Sequence, residues 1–140
     1  MAISYQNRLD GITADMLTGF FVGWPNPPDS ATHLRILEGS AHFVLALDNE
    51  TMRVVGFISA ISDGVCCAFI PNLEVLPEYQ GQGIGSELVK RVIADLNDIY
   101  AIDLLCDPDL QPYYQRLGFQ AATGMLIRNY HNQSGLPATS

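Results

Sequence analysis

The run Gln80-Gly81-Gln82-Gly83-Ile84-Gly85 constrains this chain more than any other stretch. It follows a long apolar segment ending near Leu76-Pro77 and precedes residues with helical apolar spacing that open at Ile84. A glycine-rich passage from strand to helix is a place for an anion. The first helical turn leaves backbone N–H groups without intrahelical partners, and the macrodipole adds partial positive charge there. Glycines then let a diphosphate come close to those donors. The chain must therefore supply a strand before the run, a helix after it, and packing that holds the two together.

Apolar spacing and turn residues give the frame. A helix is predicted from about Thr13 to Phe21, ending at Gly23, because Met16, Leu17, Phe20 and Phe21 fall on one side. Trp24-Pro25-Asn26-Pro27-Pro28 is a stiff loop, after which Ser30 can cap a short helix to Glu38 and Gly39. His42 to Leu47 and Val54 to Ser62 are rich in branched and aromatic residues, with Asp48 to Thr51 as a hairpin loop. Ser62-Asp63-Gly64 is a second turn before a long strand, Val65 to Leu76. Pro71 inside that strand cannot donate to a ladder and predicts a bulge. Ile84 to Asn97 has apolar residues at 84, 88, 92 and 96, the stripe of a helix on a sheet. Tyr100 to Cys106 reads as a strand, Gln111 to Leu117 as a short helix, and Phe119 to Tyr130 as one or two closing strands. The polar residues from His131 to Ser140 are expected to fray. The order implies an α/β fold, a mixed and mostly antiparallel sheet with helices on both faces. Residues 1–130 form one domain on this reading.

Composition narrows the function. The 140 residues carry a net charge of -8, which argues against a nucleic-acid partner because phosphate contacts need a basic face. It suits an amine that arrives as a cation. No apolar run approaches the ~20 residues of a membrane span, and Met1 to Asp10 lack the order of a signal peptide, so a cytoplasmic protein is expected. Cys66, Cys67 and Cys106 form no CxxC pair, which predicts reduced, buried thiols and no metal site. Cys106, near a strand end, is a minor catalytic candidate.

Three kinds of glycine loop compete for the central run. A P-loop needs Gly-Lys followed by Ser or Thr, and the one lysine, Lys90, is out of register. A dinucleotide fingerprint fits halfway, since Leu88 stands where its third glycine should be, although Asp103 lies about 20 residues on as its acid would. The third kind matches throughout. Val75-Leu76-Pro77-Glu78-Tyr79-Gln80-Gly81-Gln82-Gly83-Ile84-Gly85 resembles the acetyl-CoA loop, Q-x-x-G-x-G after V-x-P-E-Y, of the GNAT superfamily of N-acetyltransferases. Tyr113-Tyr114-Gln115-Arg116-Leu117-Gly118-Phe119 is similar to the F-Y-x-x-x-G-F segment that closes the cofactor site in that family. The resemblance is best from Val54 to Phe119.

The resemblance implies transfer of an acetyl group from acetyl-CoA to an amine by direct attack, without a metal, in a monomer or homodimer. The acceptor is a small molecule or a peptide. Its alternative is an acyl-CoA-binding sensor or interaction module that keeps the fold without turnover. It further implies a cleft opened by the bulged strand. The pantetheine arm would run past Leu73 and Val75, with the Val75 N–H facing the oxyanion. The diphosphate would sit on the amides of Gln80, Gly81, Gln82, Gly83, Ile84, Gly85 and Ser86. Arg116 would meet the 3′-phosphate. Tyr114 stands where the family often has a tyrosine that donates to the departing thiolate. Glu74, a carboxylate in a strand that reads as central, is the candidate base or amine ligand, with His33 and His42 behind it. Asp107 departs from the pattern, since many relatives carry an asparagine there: either it faces the amine together with Asp109, or that family contact is absent. Trp24 would wall the acceptor.

Overall fold

The computed structural model describes residues 2–136. Five strands form one sheet in the order β1-β2-β3-β4-β5: β1 Ile3–Gln6, β2 His42–Asp48, β3 Arg53–Ser62, β4 Cys67–Val75 and β5 Ala101–Leu104. The first three junctions are antiparallel and β4 to β5 is parallel. The helices are α1 Ser30–Gly39, α2 Ile84–Asp95 and α3 Gln111–Arg116. The parallel pair needs a crossover, and α2 supplies it.

Alternation along β3 sends Phe57 and Ser59 to one face and Gly56 and Ile58 to the other. His33 of α1 packs on the Phe57 ring with centroids 4.3 Å apart, so α1 covers the first face. On the second, a Cβ placed on Gly56 would lie 3.2 Å from Ile84 and from Leu88, which is how closely α2 approaches. Ile84, Leu88, Val89 and Val92 are buried along α2, as the spacing predicts. Each such side chain contributes about 1.5–3 kcal/mol of transfer free energy against the entropy of ordering it. The single α/β domain with a mixed sheet and a helix on each face is the expected fold.

Several local expectations fail for identifiable reasons. The helix expected over Thr13 to Phe21 is one 3-10 turn, Ala14–Leu17, because Thr18 turns extended, Gly19 takes φ 93° and Phe21 takes φ 63°. Asp29 rather than Ser30 caps α1, its carboxylate accepting from the Thr32 N–H at 2.8 Å. β1 has no counterpart in the sequence reading; it pairs with β2 from Ile3↔Asp48 to Gln6↔Leu45. β4 starts at Cys67 and not Val65 because one Asp63 carboxylate oxygen gathers the amides of Val65, Cys66 and Cys67 into a turn. This turn leaves Cys66 and Cys67 exposed instead of buried, and both are free thiols. Phe119 to Asn129 forms no strand at all. Beyond it, the part of the expected frayed tail that is described is tied down: Tyr130–Asn132 makes a 3-10 turn and Gln133 accepts from the Asn26 N–H at 2.9 Å. Residues 137–140 of that tail lie outside the described residues.

Candidate active site

The expected bulge opens the sheet. Ser59 faces Asn72 and Ile61 faces Phe69, so three steps of β4 oppose two of β3 and the extra residue falls at Ile70-Pro71. β5 pairs with β4 only from Cys67 to Ile70. From Asn72 to Val75, β4 therefore has a neighbour on one side only. The Leu76 N–H donates to the Val55 carbonyl at 2.9 Å, toward β3. The Val75 carbonyl, one residue back, instead accepts from Gln80 Nε2 at 3.0 Å. Strand alternation then turns the Val75 and Leu73 N–H groups to the open side.

The glycine run borders that opening. Gly81 and Gly83 have φ of 81° and 84°, which L side chains rarely adopt, and Gly83 is the N-cap of α2. The first helical hydrogen bond runs from the Glu87 N–H to the Gly83 carbonyl at 3.1 Å. Among the described residues, no backbone N–H from Gly81 to Ser86 donates to a protein group. A cleft of about 440 Å³ lies over these donors. It brings together Leu73, Val75, Gln80, Gly81, Gly83, Ile84, Gly85, Ser86 and Tyr114 of the expected residues. Gln82, Arg116, Glu74, Trp24 and Asp107 do not line it.

Two tyrosines of α3 close the cleft, their rings 5.0 Å apart and edge to face. Burial pushes the Tyr114 phenol up to about 12, with Tyr113 and Cys106 adding to the shift. Tyr114 is thus a hydrogen-bond donor throughout the neutral range. Tyr113 was not singled out in the sequence, yet its hydroxyl accepts from Ser86 Oγ at 3.3 Å, and a Cβ on Gly85 would lie 3.1 Å from it. A pair of adjacent tyrosines one helix away from the glycine loop was the signal available.

Glu74 points to the opposite face. It pairs with Phe57 across the strands, and its carboxylate accepts from the Phe21 N–H at 2.8 Å and the Val22 N–H at 3.2 Å. These bonds hold Phe21 in its left-handed conformation, which is costly for an aromatic residue. Phe21, Phe20, His33 and Phe57 pack edge to face around one another, and the Trp24 ring lies 4.9 Å from Phe21 at the exposed rim. His33 is 1% exposed, neither ring nitrogen has a partner among the described residues, and burial lowers its pKa to about 4. It is a neutral imidazole in an aromatic core rather than a cleft base. His42 begins β2, away from the opening.

A buried pair braces the loop from below and was not read from the sequence. The Tyr79 hydroxyl donates to Asp48 at 2.6 Å, and the other Asp48 oxygen accepts from the Glu50 N–H at 2.9 Å. The Tyr79 bond, with the Glu50 amide, holds the Asp48 carboxyl below its ordinary value. A tyrosine ending V-x-P-E-Y, followed by a turn, needs such a partner once buried. Arg116 is exposed at the end of α3, and Asp107 and Asp109 are exposed around the 3-10 turn Pro108–Leu110. Among the described residues no three His, Cys, Asp or Glu side chains gather as metal ligands.

The geometry agrees with the comparisons. Residues 9–119 match the model of the Acetyltransferase (GNAT) family. A candidate acetyltransferase of Deinococcus radiodurans R1 is 48% identical in its crystal structure, with TM-score 0.93 over 97% of this chain and 94% of that one. A GNAT-family acetyltransferase of Streptococcus pneumoniae is 29% identical, with TM-score 0.74 over 91% and 98%. A soybean (Glycine max) histone acetyltransferase, TAP1, is 36% identical over 71% of this chain and 48% of its own length. The chloroplastic GCN5-related N-acetyltransferase 2 of Arabidopsis thaliana is 31% identical over 71% and 46%, so this chain spans about half the length of these curated relatives. With the bulged strand, the glycine-capped helix and the family match in register, this chain belongs to the GNAT family of acetyltransferases.

Proposed function

We propose that this protein transfers the acetyl group of acetyl-CoA to a primary amine. The observation that carries this is the set of amides from Gly81 to Ser86, all without partners among the described residues, beside a cleft that the outward N–H groups of Leu73 and Val75 also face. Acetyl-CoA supplies an activated acyl group, and attack by a neutral amine on its thioester gives the amide and the coenzyme A thiol. The loop amides, Gln82 included, hold the diphosphate, and Arg116, exposed on the helix that closes the cleft, takes the 3′-phosphate. The Val75 N–H stabilises the oxyanion.

Tyr114 donates a hydrogen bond to the departing sulfur. A phenol near 12 facing a thiol near 8.5 would give up its proton at a cost of about 5 kcal/mol, so it stabilises the thiolate and does not protonate it outright. The proton shed by the amine supplies the thiol. Glu74 uses two acceptor positions on Phe21 and Val22, and a carboxylate has roughly four. The remaining ones serve the acceptor, holding its ammonium or taking its proton through water, with Trp24 and Asp107 at the entrance. The location we assign is cytoplasmic, and no helix among the described residues is long and apolar enough to cross a membrane.

Calorimetric titration with coenzyme A, followed by an amine panel read by thiol release, tests this. Saturable binding and thiol release with at least one amine are expected. No coenzyme A binding sinks the reading, and binding without release from any amine would make the chain an acyl-CoA-binding relative.

A further inference from the structure

Cys66 and Cys67 take no part in the acetyl-transfer reading, and both are exposed, free thiols. Every backbone group of the pair is engaged. The Cys66 and Cys67 N–H groups donate to Asp63 Oδ1 at 2.8 and 3.2 Å, and the Cys66 carbonyl accepts from the Ala101 N–H at 2.9 Å. The Cys67 carbonyl accepts from Ser62 Oγ at 2.8 Å and from the Asp63 N–H at 3.3 Å. The turn is therefore pinned at both residues, and the polar groups it leaves over are the two thiols. Strand alternation would send neighbouring side chains to opposite faces, but β4 begins only at Cys67 and Cys66 belongs to the turn. With Cα atoms about 3.8 Å apart, two short exposed side chains can reach one atom from the same side. The Cys66 thiol is the first cause that holds the Cys67 thiol above its ordinary value, ahead of desolvation and the carboxylates of Asp63 and Asp103. The two sulfurs are thus neighbours, beside two acids.

This setting selects the ligand. A structural zinc ion takes four donors, and among the described residues no third His, Cys, Asp or Glu side chain completes the pair. Cys106 cannot, because Cys67 pairs with Ala101 at the start of β5 and Cys106 follows its far end. The ligand must be soft enough to prefer sulfur and content with two sulfurs from the protein. It should also be uncharged, so that the carboxylates of Asp63 and Asp103 do not repel it and the thiols need not ionise first. Trivalent arsenic bearing one carbon substituent meets all three demands.

We propose that the Cys66-Cys67 turn is a binding site for a trivalent organoarsenical, one arsenic bridging the two sulfurs. With R–As(OH)2 as the ligand, two As–S bonds form while two As–O and two S–H bonds break. The protons leave with the hydroxyls as two waters, and no electron is transferred. The Asp63 turn holds the two sulfurs ready, so that the second bond closes within one chain at high effective concentration. This is independent of the acetyl-transfer reading, because it needs neither cofactor nor acceptor.

Titration of the reduced full chain with phenylarsine oxide, followed by intact mass and by a count of remaining thiols, tests it. The wild type should take up one arsenical and lose two of its three titratable thiols. Cys66→Ser and Cys67→Ser should each weaken binding about a hundredfold or more, since only one As–S bond remains, while Cys106→Ser should bind as the wild type does. Both serines stand at exposed positions, and thermal unfolding should show the fold intact. Asp63→Ala keeps both thiols but frees the turn, and should weaken binding about tenfold. A wild type that takes up no arsenical, or loses a single thiol, overturns the proposal. So does undiminished binding by either cysteine variant, or by a folded Asp63→Ala, since the pinned pair would then not be the site.

Discussion

The two faces of the sheet at the open end of β4 are built on opposite plans. On the α2 face, Leu73 and Val75 look onto a cleft ringed by donors that the protein leaves unused. On the α1 face, one residue away, Glu74 is half-buried and already engaged by two amides, next to the ring cluster of Phe20, Phe21, His33 and Phe57. Strand alternation puts these two environments back to back within three residues. The lesson concerns where backbone polarity is satisfied. One face leaves its donors open, the condition an anionic ligand needs, and the other commits them to a carboxylate that pins a strained loop in place.

The comparison can be broken most forcefully at His33. Its pKa is about 4 in the fold and near 6.5 when free, so the unfolded chain takes up the proton first. The stability this residue contributes is complete above pH 6.5 and is lost as pH falls toward 4, by about 3 kcal/mol over that interval. Denaturant titrations of wild type and His33→Phe at several pH values check it, and parallel curves would mean that the aromatic face does not exclude the charged ring. Gly83→Val probes the other face. With φ at 84° a valine is strained even though nothing crowds its Cβ, so the loop must rebuild. Coenzyme A affinity should fall about a hundredfold, about 2.7 kcal/mol, by calorimetry; unchanged affinity would place the anion site elsewhere.

Tyr114→Phe sharpens the picture of the donor face. Turnover should drop about tenfold with coenzyme A binding unchanged, because the hydroxyl matters mainly as charge reaches the sulfur. Equal turnover, measured where chemistry limits the rate, would reduce Tyr114 to packing. Glu74→Gln is the mildest test. It keeps one carbonyl acceptor but sets an NH2 group against an amide, costing about 1 kcal/mol of stability by thermal unfolding. If Glu74 also serves the acceptor, the variant's rate is depressed most at low pH, where an unassisted amine is most fully protonated. A pH profile matching wild type would confine Glu74 to pinning the Phe21 loop.

Much of the glycine-loop side of the candidate site was legible from local chemistry. Pro71 announced the bulge because it lacks a backbone N–H, and the glycines at 81 and 83 announced a place of close approach to the backbone, which the structure builds with positive φ at both. The α2 stripe was legible because its period repeats for three turns. The α1 side was not. Met16, Leu17, Phe20 and Phe21 have helical spacing, but Phe20 and Phe21 reach the core from a loop, held by Glu74 from 53 positions away. Asp48 and Tyr79, 31 positions apart, gave no joint signal before the hairpin and the loop were brought together.

The sequence by itself determined the family, the glycine-capped start of α2 and the place where β4 bends, since each depends on backbone freedom or periodicity within a dozen residues. Only the tertiary structure decided which face Glu74 lies on, that His33 is buried neutral, and that Phe119 to Asn129 pairs with no strand among the described residues. Local preference sets what a segment can become. Whether a strand-forming segment gains a ladder, or a carboxylate gains donors, depends on groups far along the chain, whose approach is set by the packing of the whole sheet.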